Sequence, residues 1–176
     1  SRLTKNAVKV SFNIPDKLTE KFNYIPGQYI NILAEIEGKE ERRSYSICSA
    51  KDEKLAIGIK SVENGIVSNW FNHEAQEGTK LFISEPQGNF KIPNGAKNIA
   101  NIAAGSGVTP ILSILKSNSN VEGMQLLYGN RSKEETMFLE EIKEMNNIRT
   151  SFFFDTNHDE NAISGRIDKE NLVKFI

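Results

Sequence analysis

Residues 43–49 read Arg-Ser-Tyr-Ser-Ile-Cys-Ser, a stretch in which a charge, an aromatic ring and hydroxyl groups alternate with apolar side chains. This alternation predicts a β-strand. Successive side chains of a strand point to opposite faces, so Arg43, Tyr45 and Ile47 are predicted on one face and the even-numbered residues on the other. A prosthetic group lying along the strand would meet a ring, hydroxyls and backbone. The alternative is an ordinary half-buried barrel strand with a polar rim.

The composition is that of an ordinary soluble protein, with 176 residues of which 38% are hydrophobic and 26% charged. Lysine and arginine number 22 against 23 acidic residues, and the net charge is -1. A net charge this close to zero does not indicate a basic surface that would bind nucleic acid or an anionic membrane. We therefore expect neither as a partner, and local sites must select the ligands.

A single cysteine, Cys48, excludes an internal disulfide and a cysteine set for zinc or iron–sulfur. No metal site is expected in these residues. The chain has no apolar run of the roughly 20 residues that span a bilayer, and its first residues lack the layout of a signal peptide. A cytoplasmic location is the expectation.

Short strands separated by turn residues make up the first half of the chain. They are predicted at residues 8–14, 28–36, 43–49, 55–59 and 80–84, with turns at residues 15–16, 26–27, 38 and 86–88. Several short strands at regular spacing are typical of a small antiparallel barrel or sandwich.

One helix is predicted to interrupt these strands, beginning near Gly65 and ending near Gly78. It follows directly on the strand that carries Lys60. The free backbone N–H groups and partial positive charge of a helix N-terminus suit a phosphate, which the amides of residues 65–68 would cradle. The alternative is that Asn64 or Gly65 only caps a covering helix and that Ser68 faces water.

The composition changes after the turn Pro93-Asn94-Gly95, which we take as a boundary between residues 1–95 and 96–176. A short apolar strand, residues 99–104, then leads into Gly105-Ser106-Gly107 and a helix over residues 111–116. Thr109 suits the helix cap and Pro110 the first helical position. The loop would present its amides to a pyrophosphate. It lacks the third glycine of the usual dinucleotide fingerprint.

The next predicted strand, residues 125–128, ends in the turn Gly129-Asn130-Arg131. Ligands gather beyond the carboxyl ends of strands in open α/β sheets, so Asn130 and Arg131 are candidate binding residues. Arg131 would bind a ribose phosphate or would be a solvated turn residue. Ser132 and Glu135 form a capping box for a helix through Met145.

A third strand is predicted over residues 150–154, followed by a last helix over residues 169–176 with Asp168 as its cap. Three parallel strands are fewer than a doubly wound sheet normally has, so this half is expected to be incomplete. His73 and His158 are expected at the surface, without a catalytic role.

Three motifs in a fixed order carry a resemblance to a known family: Arg43-x-Tyr45-Ser46, Lys60 with Gly65-x-x-Ser68, and Gly105-x-Gly107-x-Thr109-Pro110. The chain resembles the ferredoxin–NADP reductase superfamily over essentially its whole length, and within it the reductase subunits of phenylacetyl-CoA epoxidase and related ring-oxygenase systems. Further matching motifs are Pro26-Gly27-Gln28, Pro86-Gln87-Gly88-Asn89-Phe90, Tyr128-Gly129-Asn130-Arg131 and Gly165-Arg166-Ile167-Asp168.

The resemblance implies a six-stranded antiparallel FAD-binding barrel followed by a partial parallel α/β nicotinamide-dinucleotide domain. Ser46 would hydrogen-bond the flavin N5 and Tyr45 would stack on the ring, with Thr109 between flavin and nicotinamide; these are the candidate catalytic residues. The implied cofactor-binding set adds Arg43, Ser44, Ile59, Lys60, Gly65, Ile66, Val67, Ser68, Gly105, Ser106, Gly107, Asn130 and Arg131.

The implied function is that of a flavoprotein oxidoreductase which passes hydride from NAD(P)H to FAD and then single electrons through an iron–sulfur centre to an oxygenase, as in phenylacetate degradation. The family's Cys-Gly-Pro motif and the 2Fe-2S domain of this group would lie beyond residue 176, and the first strand before residue 1. The chain is therefore expected to be a fragment. The choice between NADPH and NADH stays open, because Arg131 would favour a 2′-phosphate and Asp155 would oppose one.

Two kinds of alternative stay open. One is another electron-transfer reductase of the superfamily, of the flavohaemoglobin type or the dihydroorotate dehydrogenase electron-transfer type. The other is a non-catalytic interaction domain that keeps the fold without its cofactor. Arg43, Tyr45, Ser46 and Gly65 argue against the second alternative, because a barrel core needs none of them.

Overall fold

A computed structural model describes residues 1–93, 95–156 and 160–175 of the chain. Within residues 1–93 the elements are β1 (Arg2–Thr4), β2 (Ala7–Ser11), a 3-10 helix (Asp16–Phe22), β3 (Tyr29–Ile36), β4 (Lys39–Ser46), β5 (Ala56–Lys60), α1 (Ile66–His73) and β6 (Phe82–Ile83). The expectations for His158, for Asn94 in the linker and for Ile176 at the end of the last helix lie outside the described residues.

The strands of residues 1–93 form two antiparallel sheets, in the orders β1-β2-β5 and β4-β3-β6. A bridge between Ile47 and Ile57 connects the two sheets. This arrangement confirms the antiparallel barrel. The inward positions of β3 show why these residues form it, because Ile30, Ile32 and Ala34 are buried at every second residue.

Several element boundaries differ from the sequence prediction; for example, the first predicted strand ends at Ser11 and not at residue 14, and the helix predicted through Met145 is reduced to Leu139–Lys143. The strand predicted over residues 80–84 is reduced to Phe82–Ile83, because only these residues pair with β3. Helix α1 ends at His73 and not near Gly78, because the amides of Glu74 and Ala75 both donate to the carbonyl of Trp70 and close the last turn.

Strands and helices alternate in the second half. Its elements are β7 (Ala100–Ala104), a 3-10 turn (Gly105–Gly107), α2 (Val108–Ser117), β8 (Gln125–Asn130), a 3-10 turn (Lys133–Glu135), α3 (Leu139–Lys143), β9 (Arg149–Phe154), β10 (Ile163–Ser164) and α4 (Lys169–Phe175). The strands are parallel and lie in the order β10-β9-β8-β7. The described residues thus add a short fourth strand, β10, to the three predicted.

Three predicted caps have different outcomes. Helix α2 begins at Val108 with Gly107 as its cap, so Thr109 is not the cap; its hydroxyl donates to the Ser106 carbonyl over 3.0 Å. Ser132 and Glu135 form no capping box, because Glu135 pairs with Lys60 instead. The Asp168 cap is confirmed by the 2.8 Å bond from the Asn171 amide to Asp168 Oδ1.

One hydrophobic cluster joins the two halves. Ala7, Cys48 and Ala56 of the barrel pack with residues of α2, β8 and α3, including Leu112 and Ile142. Burial raises the pKa of the Cys48 thiol to about 12. The boundary at residues 95/96 stays a prediction, but the shared cluster shows that the halves pack as one body in this region.

Hydrogen bonds and ion pairs reinforce this packing. The Ser113 hydroxyl of α2 donates to the Ser49 carbonyl of the barrel over 2.7 Å. Lys116 of α2 binds Glu53 of the barrel at 2.5 Å and Glu141 of α3 at 2.6 Å. Polar contacts therefore hold α2 on the barrel beside the apolar cluster.

Candidate functional site

A cavity of about 400 Å³ lies where the barrel meets the start of α2. This volume is in the range of small-molecule and cofactor pockets. Its lining comes from β4, β5, the start of α1 and the glycine-rich loop, and consists of Arg43, Ser44, Tyr45, Ser46, Gly58, Lys60, Val62, Gly65, Ile66, Val67, Ser68, Ser106, Gly107, Thr109 and Pro110. The three predicted motifs thus meet at one place.

The end of β4 borders the cavity with four consecutive residues, 43–46. The sequence predicted that a prosthetic group lying along this strand would meet a ring, hydroxyls and backbone, and the Tyr45 ring and the Ser44 and Ser46 side chains do border the cavity together. β4 is an edge strand of its sheet, paired only with β3. Side chains from both faces of the strand border the cavity.

Local contacts fix the side chains of β4. The Arg43 guanidinium donates to the Arg42 carbonyl over 2.7 Å and pairs with Glu41 at 3.1 Å. The Ser44 hydroxyl donates to Asn31 Oδ1 over 2.6 Å. The Tyr45 ring packs edge-on against Phe71, with centroids 6.3 Å apart. Burial raises the pKa of Tyr45 although Arg43 opposes the shift, so its phenol stays protonated.

The start of α1 is shaped for a ligand that approaches the backbone. Gly65 is the helix cap, and a Cβ atom there would overlap Ser68 Oγ and lie 2.5 Å from Val62 Cγ2. Ser68 is buried, so the alternative in which it faces water is wrong. The first helical bond goes from the Asn69 amide to the Gly65 carbonyl, which leaves the amides of residues 66–68 at the cavity without an intrahelical acceptor.

The glycine-rich loop lies opposite the barrel residues. Gly105 has a φ of +50°, a conformation that favours glycine. Ser106, Gly107 and Thr109 line the cavity, whereas Gly105 does not. The Tyr128 hydroxyl donates to the Gly105 carbonyl over 2.9 Å and so anchors the start of the loop to β8.

Lys60 ends β5 at the cavity, and its ammonium is 3.2 Å from Glu135 Oε2 of the second half. Both side chains are largely buried, with exposed fractions of 22% and 15%. Lys60 was predicted to bind phosphate, whereas Glu135 was predicted only as part of a helix cap. The contact therefore adds a residue at the site that the sequence did not indicate.

Gly58 lies two residues before Lys60, on the same face of β5, and also lines the cavity. A Cβ atom there would lie 2.8 Å from Thr109 Cγ2 and 2.9 Å from Phe138 Cζ. The second half therefore touches the backbone of β5. Sequence reasoning missed this role, although a glycine inside an apolar strand is a known sign of close approach.

Three further predicted binding residues do not line the cavity. The Ile59 side chain is buried in the barrel core. Asn130 is buried at the carboxyl end of β8, and neither polar atom of its side chain has a partner among the described residues. Arg131 is exposed, and its carbonyl accepts bonds from the Thr156 amide and hydroxyl. The register places Gly129 beside Ala104, so Asn130 lies near the glycine-rich loop.

Neither a metal centre nor a membrane span is found in the described part of the chain. Those residues contain no group of three or more histidine, cysteine, aspartate or glutamate side chains that would hold a metal ion. They also contain no helix that is long and apolar enough to cross a bilayer. His73 is exposed at the end of α1, as expected.

The residues at the cavity fit a flavin dinucleotide. The fit rests on a guanidinium and an ammonium at the cavity and on the free amides at the start of α1. These are the donors that bind phosphate in proteins. Tyr45 adds a flat ring beside them.

Two protein families match the chain. Residues 1–92 match the oxidoreductase FAD-binding domain, and residues 102–175 match the oxidoreductase NAD-binding domain. These matches confirm that the chain carries an FAD-binding part followed by an NAD-binding part.

Curated relatives include reductase components of oxygenase systems. One component of the 1,2-phenylacetyl-CoA epoxidase from Escherichia coli is 33% identical over 182 residues, which cover 96% of this chain and 51% of the relative. The ferredoxin reductase component of 3-ketosteroid-9-alpha-monooxygenase from Mycobacterium tuberculosis is 33% identical over 153 residues, which cover 81% of this chain and 43% of the relative. The chain thus spans about half the length of these relatives.

Solved structures share the fold. The FAD/NAD-binding domain of nitric oxide dioxygenase from Vibrio cholerae matches with a TM-score of 0.83 at 22% identity, over 96% of this chain and 76% of the other. A ferredoxin NADP+ reductase from Neisseria gonorrhoeae matches with a TM-score of 0.83 at 19% identity, over 97% of this chain and 71% of the other. Both matches extend over nearly all of this chain.

Proposed function

Since the chain belongs to the FAD- and NAD-binding oxidoreductases of the ferredoxin–NADP reductase superfamily, we propose that it takes electrons from NAD(P)H through a bound FAD and delivers them to an oxygenase component. The observation that carries this proposal is the cavity shared by residues 43–46, residues 65–68 and residues 106, 107, 109 and 110. A bound FAD supplies the conversion of a two-electron donor into single electrons.

The residues of this chain would hold and orient that cofactor. Arg43 and Lys60 are the cations at the cavity and would bind the phosphates, together with the amides of residues 66–68. Tyr45 would lie against the ring, and its pKa, raised by burial, keeps the phenol neutral there. Ser46 would donate a hydrogen bond to the ring edge.

The second half would supply the nicotinamide side. Thr109 borders the cavity from α2 and touches β5 at Gly58, so it stands between the two halves. Asn130, with its unpaired buried amide beside the glycine-rich loop, would bind the adenosine end together with Arg131. These roles are part of the proposal.

The electron acceptor is proposed from the relatives, which include components of a phenylacetyl-CoA epoxidase and a steroid monooxygenase. We expect transfer through an iron–sulfur centre outside these residues, and phenylacetyl-CoA epoxidase as one such acceptor system. A cytoplasmic location stays a prediction from the single cysteine.

Flavin loading tests the proposal. Purified protein is incubated with FAD, freed of unbound flavin and measured for flavin absorbance and for oxidation of NADPH and NADH with a one-electron acceptor. We expect yellow protein and oxidation of at least one nucleotide. Colourless protein without oxidation contradicts the proposal and supports the non-catalytic alternative. Comparing iron–sulfur, haem and quinone acceptors separates the oxygenase assignment from the other reductase types.

A further inference from the structure

The ion pair between Lys60 and Glu135 lies at the edge of the cavity and joins its two sides. Lys60 lines the cavity from the barrel, and Glu135, in the turn after β8 and 75 residues further along the chain, contacts the Lys60 ammonium at 3.2 Å. An ammonium that is proposed to bind phosphate is therefore already paired with a carboxylate.

Packing holds the Glu135 segment in place. The Thr136 hydroxyl donates to the Ser132 carbonyl over 2.9 Å, and Met137 and Phe138 are buried. Phe138 and Met137 also lie within 3.0 Å of the Cβ position of Gly58, two residues before Lys60. Glu135 is thus carried by a segment seated on the same strand as its partner.

Tyr128 lies between this segment and the start of the glycine-rich loop. The Tyr128 hydroxyl donates to the Gly105 carbonyl over 2.9 Å and lies 3.4 Å from the Met137 carbonyl. The ion pair connects the barrel side and the α/β side of the site.

We propose that Glu135 sets the affinity of the cavity for the diphosphate of a dinucleotide by occupying Lys60 in the ligand-free protein. A phosphate oxygen and the Glu135 carboxylate are both anionic acceptors for the same ammonium donor. When the diphosphate binds, the Lys60 ammonium contacts phosphate in place of the Glu135 carboxylate. The ion pair between β5 and the second half is then lost. This inference rests on the proposed function, in which the cavity holds a dinucleotide.

Glu135→Gln is the variant that isolates the charge. The amide oxygen of glutamine still accepts a bond from Lys60, while the competing charge is gone. We expect the variant to bind the diphosphate about 5- to 150-fold more tightly, the usual range for coupling between two sites. FAD binding to the apoprotein is measured by quenching of flavin fluorescence, and NADP+ binding by calorimetry, so that the two sources of diphosphate are distinguished.

A double-mutant cycle assigns the effect to Lys60. In a Lys60→Met background, Glu135→Gln should change neither affinity, because the ammonium for which the anions compete is absent. Glu53→Gln is the matched control, since Glu53 also forms an ion pair between the two halves but its partner, Lys116, does not line the cavity. Its affinities for FAD and NADP+ should equal those of the wild type.

A second measurement needs no variant. Amide hydrogen exchange of residues 133–138 should become faster when FAD or NADP+ is added to the wild-type protein, because the segment loses its bond to Lys60. Unchanged or slower exchange overturns the inference.

The measured affinities for FAD and NADP+ can also contradict the inference. The inference is overturned if wild-type protein binds FAD and the Glu135→Gln variant binds FAD and NADP+ no more tightly than the wild type does. The proposed function is then unaffected. The same holds if the tightening persists in the Lys60→Met background or is matched by Glu53→Gln. Protein that binds neither FAD nor NADP+ overturns both proposals.

Discussion

Arg43 shows how one residue at the site is prepared for an anion. Its guanidinium is held on β4 by the Arg42 carbonyl and by Glu41. Both contacts are local, and the side chain remains 49% exposed. An arriving phosphate would compete for this half-exposed guanidinium with the Glu41 carboxylate, whose side chain is 18% exposed.

Arg43→Ala is expected to weaken FAD binding by about 1.5 to 3 kcal/mol, the contribution of a hydrogen bond to a charged group. This corresponds to a dissociation constant about 10- to 150-fold higher. Fluorescence titration of the apoprotein with FAD measures it. Arg42→Ala is the control, because Arg42 is an exposed neighbour that does not line the cavity. An Arg43 variant with wild-type affinity would remove this residue from the site.

At the scale of elements, β5 connects the core of the barrel with the second half. Its Ile57 and Ile59 side chains are buried in the barrel, while Gly58 and Lys60 face the second half. One face of β5 thus packs in the barrel core, and the opposite face contacts the second half. The small size of Gly58 is what permits Thr109 and Phe138 to approach so closely.

Gly58→Ala is expected to overpack this contact and destabilise the protein by about 1 to 3 kcal/mol. For a chain of this length the midpoint of thermal unfolding should fall by about 2 to 4 °C for each kcal/mol. Thermal unfolding followed by circular dichroism measures it. Gly129→Ala is the control, because a Cβ atom there would meet only ordinary contacts, the nearest at 3.5 Å. Equal midpoints for the two variants would contradict the prediction, because they would show that the neighbouring side chains accommodate the added methyl group without loss of stability.

At the scale of the whole molecule, polar contacts fix the second half on the barrel. Lys116 is the centre of this group, with Glu53 on one side and Glu141 on the other. Burial alone lowers the pKa of Lys116, but the hydrogen bonds to Glu141 and Glu53 outweigh it and raise the pKa. Burial likewise raises the pKa of Glu53, but the Lys116 ammonium and the Ala50 amide outweigh it and lower the pKa.

These shifts predict how stability depends on pH. A lowered pKa means that Glu53 stabilises the fold above its unfolded pKa of 4.5, and that this contribution is lost as the pH falls through the folded value. Lys116 stabilises the fold below 10.5, and its contribution is lost as the pH rises through its raised pKa. Glu53→Gln should therefore lower the free energy of unfolding at pH 7 by no more than about 1 kcal/mol, because solvent screens the pair.

Denaturant unfolding at a series of pH values tests this prediction. The difference between the wild type and Glu53→Gln should shrink as the pH falls below 4.5. Glu85→Gln is the control, since Glu85 pairs with Lys21 while both side chains are mostly exposed. A difference between wild type and Glu53→Gln that is constant from pH 7 to pH 3 would contradict the assignment.

The sequence by itself determined the order and type of the main elements and the family. Alternating isoleucines at 30 and 32 predicted a strand, and the Gly65 and Gly105 motifs predicted backbone exposed at helix starts. These features are decided within a few neighbouring residues, where side-chain alternation and backbone conformation act directly. The three motifs that carry the resemblance are local in the same sense, and the family matches confirm what they predicted.

Only the tertiary structure decided which residues border the cavity and what they contact. Residues from both faces of β4 border it, and Glu135 pairs with Lys60 although a local pattern predicted a helix cap. The close approach at Gly58 likewise depends on a residue 51 positions away, Thr109. Such contacts depend on how the two halves pack, and no pattern within one segment specifies the neighbour that a distant segment supplies.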